Sequence, residues 1–270
     1  MKITILGARG SVPTDGPDMV AFGGATSCIM AESDNSILFL DAGSGITAAT
    51  ATQNKPVNIL ITHPHADHLL GLPFFPDLSK KGRKFDIYAT VKDGLGTYDQ
   101  VSKFFSAPLW PARIDDYPAD VSCHDLPSHM CKENQVVRIG DFNVSAMESN
   151  HPGGSTIFRI ENNGSSFVYA TDYEHSEDKD GELIRFCRGT DLLLYDGQYT
   201  DEEYEKKRTF GHSTPKHGEY IMHKCEAHML RIVHHDPHHD DETLEKMERT
   251  IVGENKAFAR QGEIIWLQTT

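Results

Sequence analysis

Val57-Asn58-Ile59-Leu60-Ile61-Thr62-His63-Pro64-His65-Ala66-Asp67-His68-Leu69 decides how the rest of the chain is read. A short strand-forming run, Val57 to Ile61, leads directly into His63, His65, Asp67 and His68. In extended backbone alternate side chains share a face, so His63 and His65 point the same way and can grip one cation. A turn into a helix over Asp67 to Leu72 then swings Asp67 and His68 toward a second cation. A merely solvated loop has no need of this spacing.

Other short apolar runs surround this one. Ile3 to Leu6, Ile37 to Leu40, Phe85 to Tyr88, Phe142 to Met147, Thr156 to Ile160, Ser166 to Ala170, Leu192 to Tyr195, Leu230 to Val233 and Ile264 to Leu267 all read as sheet strands. Between Thr156–Ile160 and Ser166–Ala170, Asn163-Gly164 supplies two residues that accept positive φ, which predicts an antiparallel hairpin. Helices are fewer. Pro215 to Ala227 has Thr214 as cap and proline as its first residue, and Asp241 to Val252 carries Leu244, Met247 and Ile251 on one face. Residues 91–140 show no clear periodicity and read as a long loop or a poorly marked pair of elements. The whole chain, residues 1–270, is expected to form one domain without internal repeats or low-complexity linkers.

Composition limits the function classes. Lys plus Arg number 26 against 40 Asp plus Glu, a formal charge of −14 that opposes any surface wrapping a nucleic-acid backbone. No apolar run approaches the roughly 20 residues needed to span a bilayer, and the N-terminus lacks a signal peptide's pattern, so a cytoplasmic location is expected. The five cysteines, Cys28, Cys123, Cys131, Cys187 and Cys225, are scattered and never spaced CxxC. They read as reduced and mostly structural, whereas the 15 histidines are grouped.

The His63-x-His65-x-Asp67-His68 arrangement resembles the HxHxDH signature of the metallo-β-lactamase superfamily, and the resemblance extends along essentially the whole chain. It implies a four-layer αβ/βα sandwich, two mixed sheets flanked by helices. It also implies a ligand set: His63, His65 and His151 for one metal, Asp67, His68 and His234 for the other, with Asp172 shared. His234 is preferred over His235 because it follows its strand as His63 follows its own, yet either can face the site. His238 and His239 read as solvated loop residues. Leu38-Phe39-Leu40-Asp41-Ala42-Gly43 matches the superfamily's Asp-x-Gly, a structural element. The set holds no thiolate, which suits two divalent ions, Zn²⁺ foremost, with Mn²⁺ or Fe²⁺ also suited.

Phe210-Gly211-His212-Ser213-Thr214 resembles the His-Ser-Thr loop of the tRNase Z group, in which the histidine gives a proton to the leaving oxygen. Asp196, after the strand Leu192–Tyr195, matches the carboxylate that steadies it. No basic, glycine-rich tRNA-gripping arm is found, so the chain looks most similar to the small-substrate, cyclic-phosphate and cyclic-nucleotide phosphodiesterases of this branch. The resemblance implies that Asp67 and Asp172 orient the nucleophile while His212 acts as acid. The expected partner is a small phosphodiester, with no polymeric nucleic acid and no membrane; a homodimer is compatible with the chain. The competing readings are a thioester or lactone hydrolase on the same fold and a non-enzymatic metal-dependent sensor. Tyr173, Phe74, Phe75, Phe105 and Trp110 read as core or lid packing, with stacking on a base as the alternative.

Overall fold

The computed structural model describes residues 1–49, 55–127, 130–133, 135–251 and 253–268. Along the chain run β1 (Lys2–Gly7), β2 (Cys28–Glu32), β3 (Ile37–Leu40), β4 (Val57–Ile61), α1 (Ala66–Leu69), β5 (Lys84–Thr90), α2 (Thr97–Phe104), β6 (Asp120–Leu126) and α3 (Met130–Glu133). They are followed by β7 (Val137–Ile139), β8 (Phe142–Glu148), β9 (Thr156–Asn162), β10 (Ser165–Ala170), α4 (Glu177–Phe186), β11 (Leu192–Asp196), α5 (Asp201–Tyr204), α6 (Pro215–Cys225), β12 (Met229–Val233), α7 (Asp241–Glu248), β13 (Lys256–Phe258) and β14 (Ile264–Trp266).

Two seven-stranded mixed sheets result, ordered β14-β1-β2-β3-β4-β5-β6 and β13-β12-β11-β10-β9-β8-β7. In the first, β14 to β3 pair antiparallel and β3 to β6 parallel. In the second, β7 to β10 pair antiparallel and β10 to β13 parallel.

Side-chain alternation builds the layers. Leu38, Leu40 and Leu60 face Phe158, Phe167, Leu192 and Leu194 in a core between the sheets. Their neighbours Ile37, Phe39, Ile59 and Ile61 turn outward, where Leu69, Leu72 and Val101 cover them. On the second sheet Val168, Leu193 and Tyr195 meet Leu183, Ile221, Met222 and Leu244 from α4, α6 and α7. Two sheets with helices outside both give the four-layer sandwich expected from the sequence. No helix of the described residues is long and apolar enough to cross a membrane.

All ten sequence-read strands are present, with small shifts at several ends, and the hairpin forms with Asn163 at φ 49° and Gly164 at φ 80°. Strands β2, β6, β7 and β13 and helices α2 to α5 were not anticipated. The stretch 91–140 is therefore no plain loop: it holds α2, β6, α3 and β7, although Ser128, His129 and Asn134 lie outside the described residues. Helix α6 ends at Cys225 because Glu226 takes a left-handed φ of 58°. Helix α7 ends at Glu248, and the expected end at Val252 falls outside the described residues.

Candidate metal centre

The parallel halves of both sheets deliver polar residues to one edge, as carboxyl ends of strands do in layered α/β folds. Asp41 follows β3, His63 follows β4, Asp172 follows β10, Asp196 closes β11 and His234 follows β12. Asp41, Asp172 and His234 sit at φ 62°, 52° and 63°, left-handed backbone that costs a non-glycine residue about 1–2 kcal/mol. Such bends turn the chain sharply as it leaves a strand, and they concentrate at functional sites.

Two groups of ligating atoms form there. His63, His65 and His151 bring one nitrogen each within 4.8 Å of one another. Within the same limit lie Asp67, His68 and His234, and also His63, His68 and Asp172, so Asp172 sits between the groups. His234 Nε2 is 3.0 Å from Asp172 Oδ1 and 3.2 Å from Asp67 Oδ2. His235 instead sits in the core, its Nε2 donating to the Ala259 carbonyl and its ring edge-on to Phe22. Of the two adjacent histidines, His234 is thus the one brought to the cluster.

In four of the five rings the second nitrogen is used to aim the first. His68 Nδ1 meets Asp41 Oδ2 at 2.7 Å, and His234 Nδ1 donates to Gln198 Oε1 at 2.8 Å. His151 Nδ1 donates to the Gly211 carbonyl at 3.0 Å, and His63 Nδ1 lies 3.1 Å from Thr62 Oγ1. His65 presents Nδ1, 3.3 Å from His151 Nε2. Close backbone approach makes room for these rings: a Cβ on Gly10 would overlap His234, and one on Gly211 would overlap His151.

Electrostatics separate the groups. Burial pushes the His63 ring well below the usual histidine range, with His68 adding to the effect, and burial also lowers His65 and His151. Burial would lower His68 and His234 too, but carboxylates overrule it: Asp67, Asp172 and Asp41 hold His68 up, and Asp172 and Asp67 hold His234 up. Burial in turn opposes ionisation of Asp67 and Asp172, yet the surrounding imidazoles keep both well below the usual carboxylate range.

These residues fit divalent cations. His63 Nε2, His68 Nε2 and Asp172 Oδ2 are buried and have no hydrogen-bond partner among the described residues, although Asp172 Oδ2 comes within 3.0 Å of His68 Nε2. Unpaired buried polar atoms are costly, and three of them converging on one point match an imidazole–carboxylate donor set. Buried Asp41, Asp67 and Asp172 also need positive charge, which His68 and His234 otherwise supply as imidazolium.

His212 lies against both groups, its ring stacked on His234 at 4.7 Å and edge-on to His151 at 5.2 Å between centroids. Its Nδ1 donates to Asp196 Oδ2 at 2.8 Å. Thr214 caps α6 through its own hydroxyl, so His212 is not the cap.

With that geometry, similarity to known proteins is informative. The β-lactamase superfamily domain matches residues 38–235, most of the chain and every candidate ligand together with Asp196 and His212. The chain belongs to the β-lactamase superfamily. A member curated as ribonuclease Z, from Haloarcula marismortui, is 24% identical, covering 87% of this chain and 86% of its own. Among solved structures, the metallo-β-lactamase-fold protein YhfI of Bacillus subtilis superposes with a TM-score of 0.73 at 18% identity, over 99% of this chain and 98% of that one. A diphosphatase of the PhnP family does so with 0.71 at 17% identity, over 99% and 98%. This superfamily implies divalent metal ions and hydrolase chemistry.

Several contacts in this superfamily member were not foreseen. Asp41 is in direct contact with His68, and Gln198 and the Gly211 carbonyl orient two further rings. The Asp41-Ala42-Gly43 motif carried a signal, whereas Gln198 and Gly211 O carried none. His239 is corrected: it is buried and bonded to Glu203, with its carbonyl accepting from Arg9, while His238 is exposed. Phe75, Phe105 and Tyr173 are core residues, and Phe74 is exposed, edge-on to Trp110 at 5.2 Å. All five cysteines are free.

Proposed function

We propose that the protein is a dinuclear metal-dependent phosphodiesterase acting on a small cyclic nucleotide or cyclic phosphate. The observation that carries this reading is His212, held by Asp196 at 2.8 Å and stacked against His234 beside both ligand groups. Hydrolysis of a thioester or lactone makes less demand for a positioned acid, whereas an alkoxide leaving a phosphodiester needs a proton.

His63, His65 and His151 would hold one cation, Asp67, His68 and His234 the other, with Asp172 between them. Divalent cations, zinc foremost, supply there the positive charge that polarises a phosphoryl oxygen and acidifies a water molecule. Asp67, fixed by the Ser11 amide at 2.7 Å, and Asp172 orient the attacking water. Asp196 accepts a hydrogen bond from His212 Nδ1–H, which aims the Nε2–H of the imidazolium at the departing oxygen that takes its proton. The charge of −14 and the lack of a basic arm favour a small substrate over tRNA, even though relatives are called ribonuclease Z. The names of that relative and of the PhnP-family diphosphatase support phosphorus–oxygen chemistry.

The test is a panel of bis(p-nitrophenyl) phosphate, cyclic nucleotides, ribose cyclic phosphates and thioesters, assayed with Zn²⁺ and with Mn²⁺. Turnover of a cyclic phosphodiester above the thioesters is expected. Turnover of thioesters alone would overturn the assignment.

A further inference from the structure

We infer that Glu174 is the positioning residue for His212: its carboxylate clamps the loop that carries the proton donor. The inference rests on the reading of His212 as that donor. Glu174 uses both oxygens on backbone amides of this loop, Oε1 accepting from Thr209 N–H at 2.7 Å and Oε2 from Gly211 N–H at 2.8 Å. The Tyr204 hydroxyl also donates to Oε1, at 3.4 Å. Such charge-assisted bonds to loop amides are about twice as strong as neutral ones.

The loop needs an external hold. Thr209 lies at φ 73° and Gly211 at φ 92°, and a β-branched residue rarely adopts left-handed backbone. Left alone, Thr209 would relax toward negative φ and carry His212 away from Asp196. Glu174 is itself anchored on the far side, its N–H donating to Asn150 O at 3.0 Å and its carbonyl accepting from Asn150 Nδ2 at 2.7 Å. One residue thereby ties the segment after β10 to the His151 loop through its backbone and to the His212 loop through its side chain. The Gly211 carbonyl, whose N–H Glu174 holds, is also the acceptor for His151 Nδ1.

Residues flanking Glu174 grip the same region. The Tyr173 amide reaches Asp196 Oδ2 at 3.4 Å, and His175 Nδ1 is 2.7 Å from Ser213 Oγ, which Tyr195 OH also meets at 3.0 Å. Of these three neighbouring residues, Glu174 is the one that bonds the loop on the N-terminal side of His212, where the strained φ lies.

The test compares Glu174→Ala, Glu174→Gln and His212→Ala at saturating divalent cation, on an alkyl and a p-nitrophenyl phosphodiester. Glu174→Ala should slow the alkyl ester about tenfold or more with KM unchanged, and the p-nitrophenyl ester by less than about threefold. Glu174→Gln should fall between, because one carboxamide oxygen serves one amide and its NH₂ opposes the other. In a His212→Ala background the further loss from Glu174→Ala should be under about twofold, since the clamp acts through that imidazole. Backbone hydrogen exchange provides a readout free of turnover: the Thr209 and Gly211 amides should exchange faster in Glu174→Ala while the β-strands stay protected. Equal slowing of both esters, a full effect without His212, or unchanged exchange at those two amides would each overturn the inference. If His212→Ala itself lacks leaving-group dependence, the phosphodiesterase reading fails instead, and the exchange result still decides whether Glu174 holds the loop.

Discussion

The two histidine groups at the sheet edge are built on different principles. His63, His65 and His151 form an all-imidazole set that grades from buried to exposed, and burial lowers all three rings below their ordinary values. Asp67, His68 and His234 are buried together around Asp172, and carboxylates hold both imidazoles protonated. The outer set is thereby biased toward free lone pairs, whereas the inner set is biased toward bound protons that an entering cation would have to displace. Loading in sequence, outer before inner, is the outcome expected of that difference.

The largest effect expected is from Asp172→Ala, which removes the carboxylate between the groups. Turnover should fall to background and elemental analysis should find less than two equivalents of metal, with circular dichroism near wild type. Two tightly held equivalents in this variant would break the distinction between sets that share a residue. Next, His212→Ala should slow an alkyl phosphodiester by roughly 10²-fold with metal content unchanged, and a p-nitrophenyl ester far less.

A smaller effect sharpens the comparison on the inner side. Gln198→Ala removes the acceptor that aims His234, so affinity for one equivalent should drop by about 10–100-fold while the other is retained, as calorimetry of the metal-free protein would register. Uniform weakening of both would mean the groups load as a unit.

The mildest test is pH. Raised His68 and His234 values mean protons bound at neutrality, so inner-set affinity should fall as pH falls, while the outer set, with lowered values, keeps its affinity to lower pH. Without metal the sign reverses for stability. A histidine raised on folding stabilises fully below its unfolded value of about 6.5 and loses that contribution as pH climbs through the folded value. The metal-free protein should thus lose thermal stability as pH is raised above neutrality, and saturating cation should remove that trend. A metal-free melting temperature flat across this range would show that the inner imidazoles are not protonated.

How much of this was legible in the sequence depended on whether the information was local. Strands β3 and β4 were read to the residue because each is a short buried run bounded by polar ligands or turns. Strand β6, Asp-Val-Ser-Cys-His-Asp-Leu, was missed because it is an edge strand with much of its surface in solvent, and a polar edge looks like a loop. The clustered histidines and aspartates stood out by spacing, but their orienting partners did not. Gln198 lies 36 positions from His234, and the Gly211 carbonyl that aims His151 has no side-chain identity to read. His239 was misjudged for the same reason: only tertiary packing puts Glu203 and Arg9 against it.

Strand β14 has a consequence for the order in which the molecule can be assembled. It completes the first sheet from the far end of the chain, lying beside β1, with Lys2 opposite Trp266 and the Met1 amine bonded to the Leu267 carbonyl. Until residues 264–266 have left the ribosome, β1 remains an open edge, a template for pairing with another nascent chain. Such end-to-end contacts carry the greatest loop-closure entropy and form slowly. In the second sheet every neighbouring strand is also the next one in sequence, so no pair there closes a loop of that size.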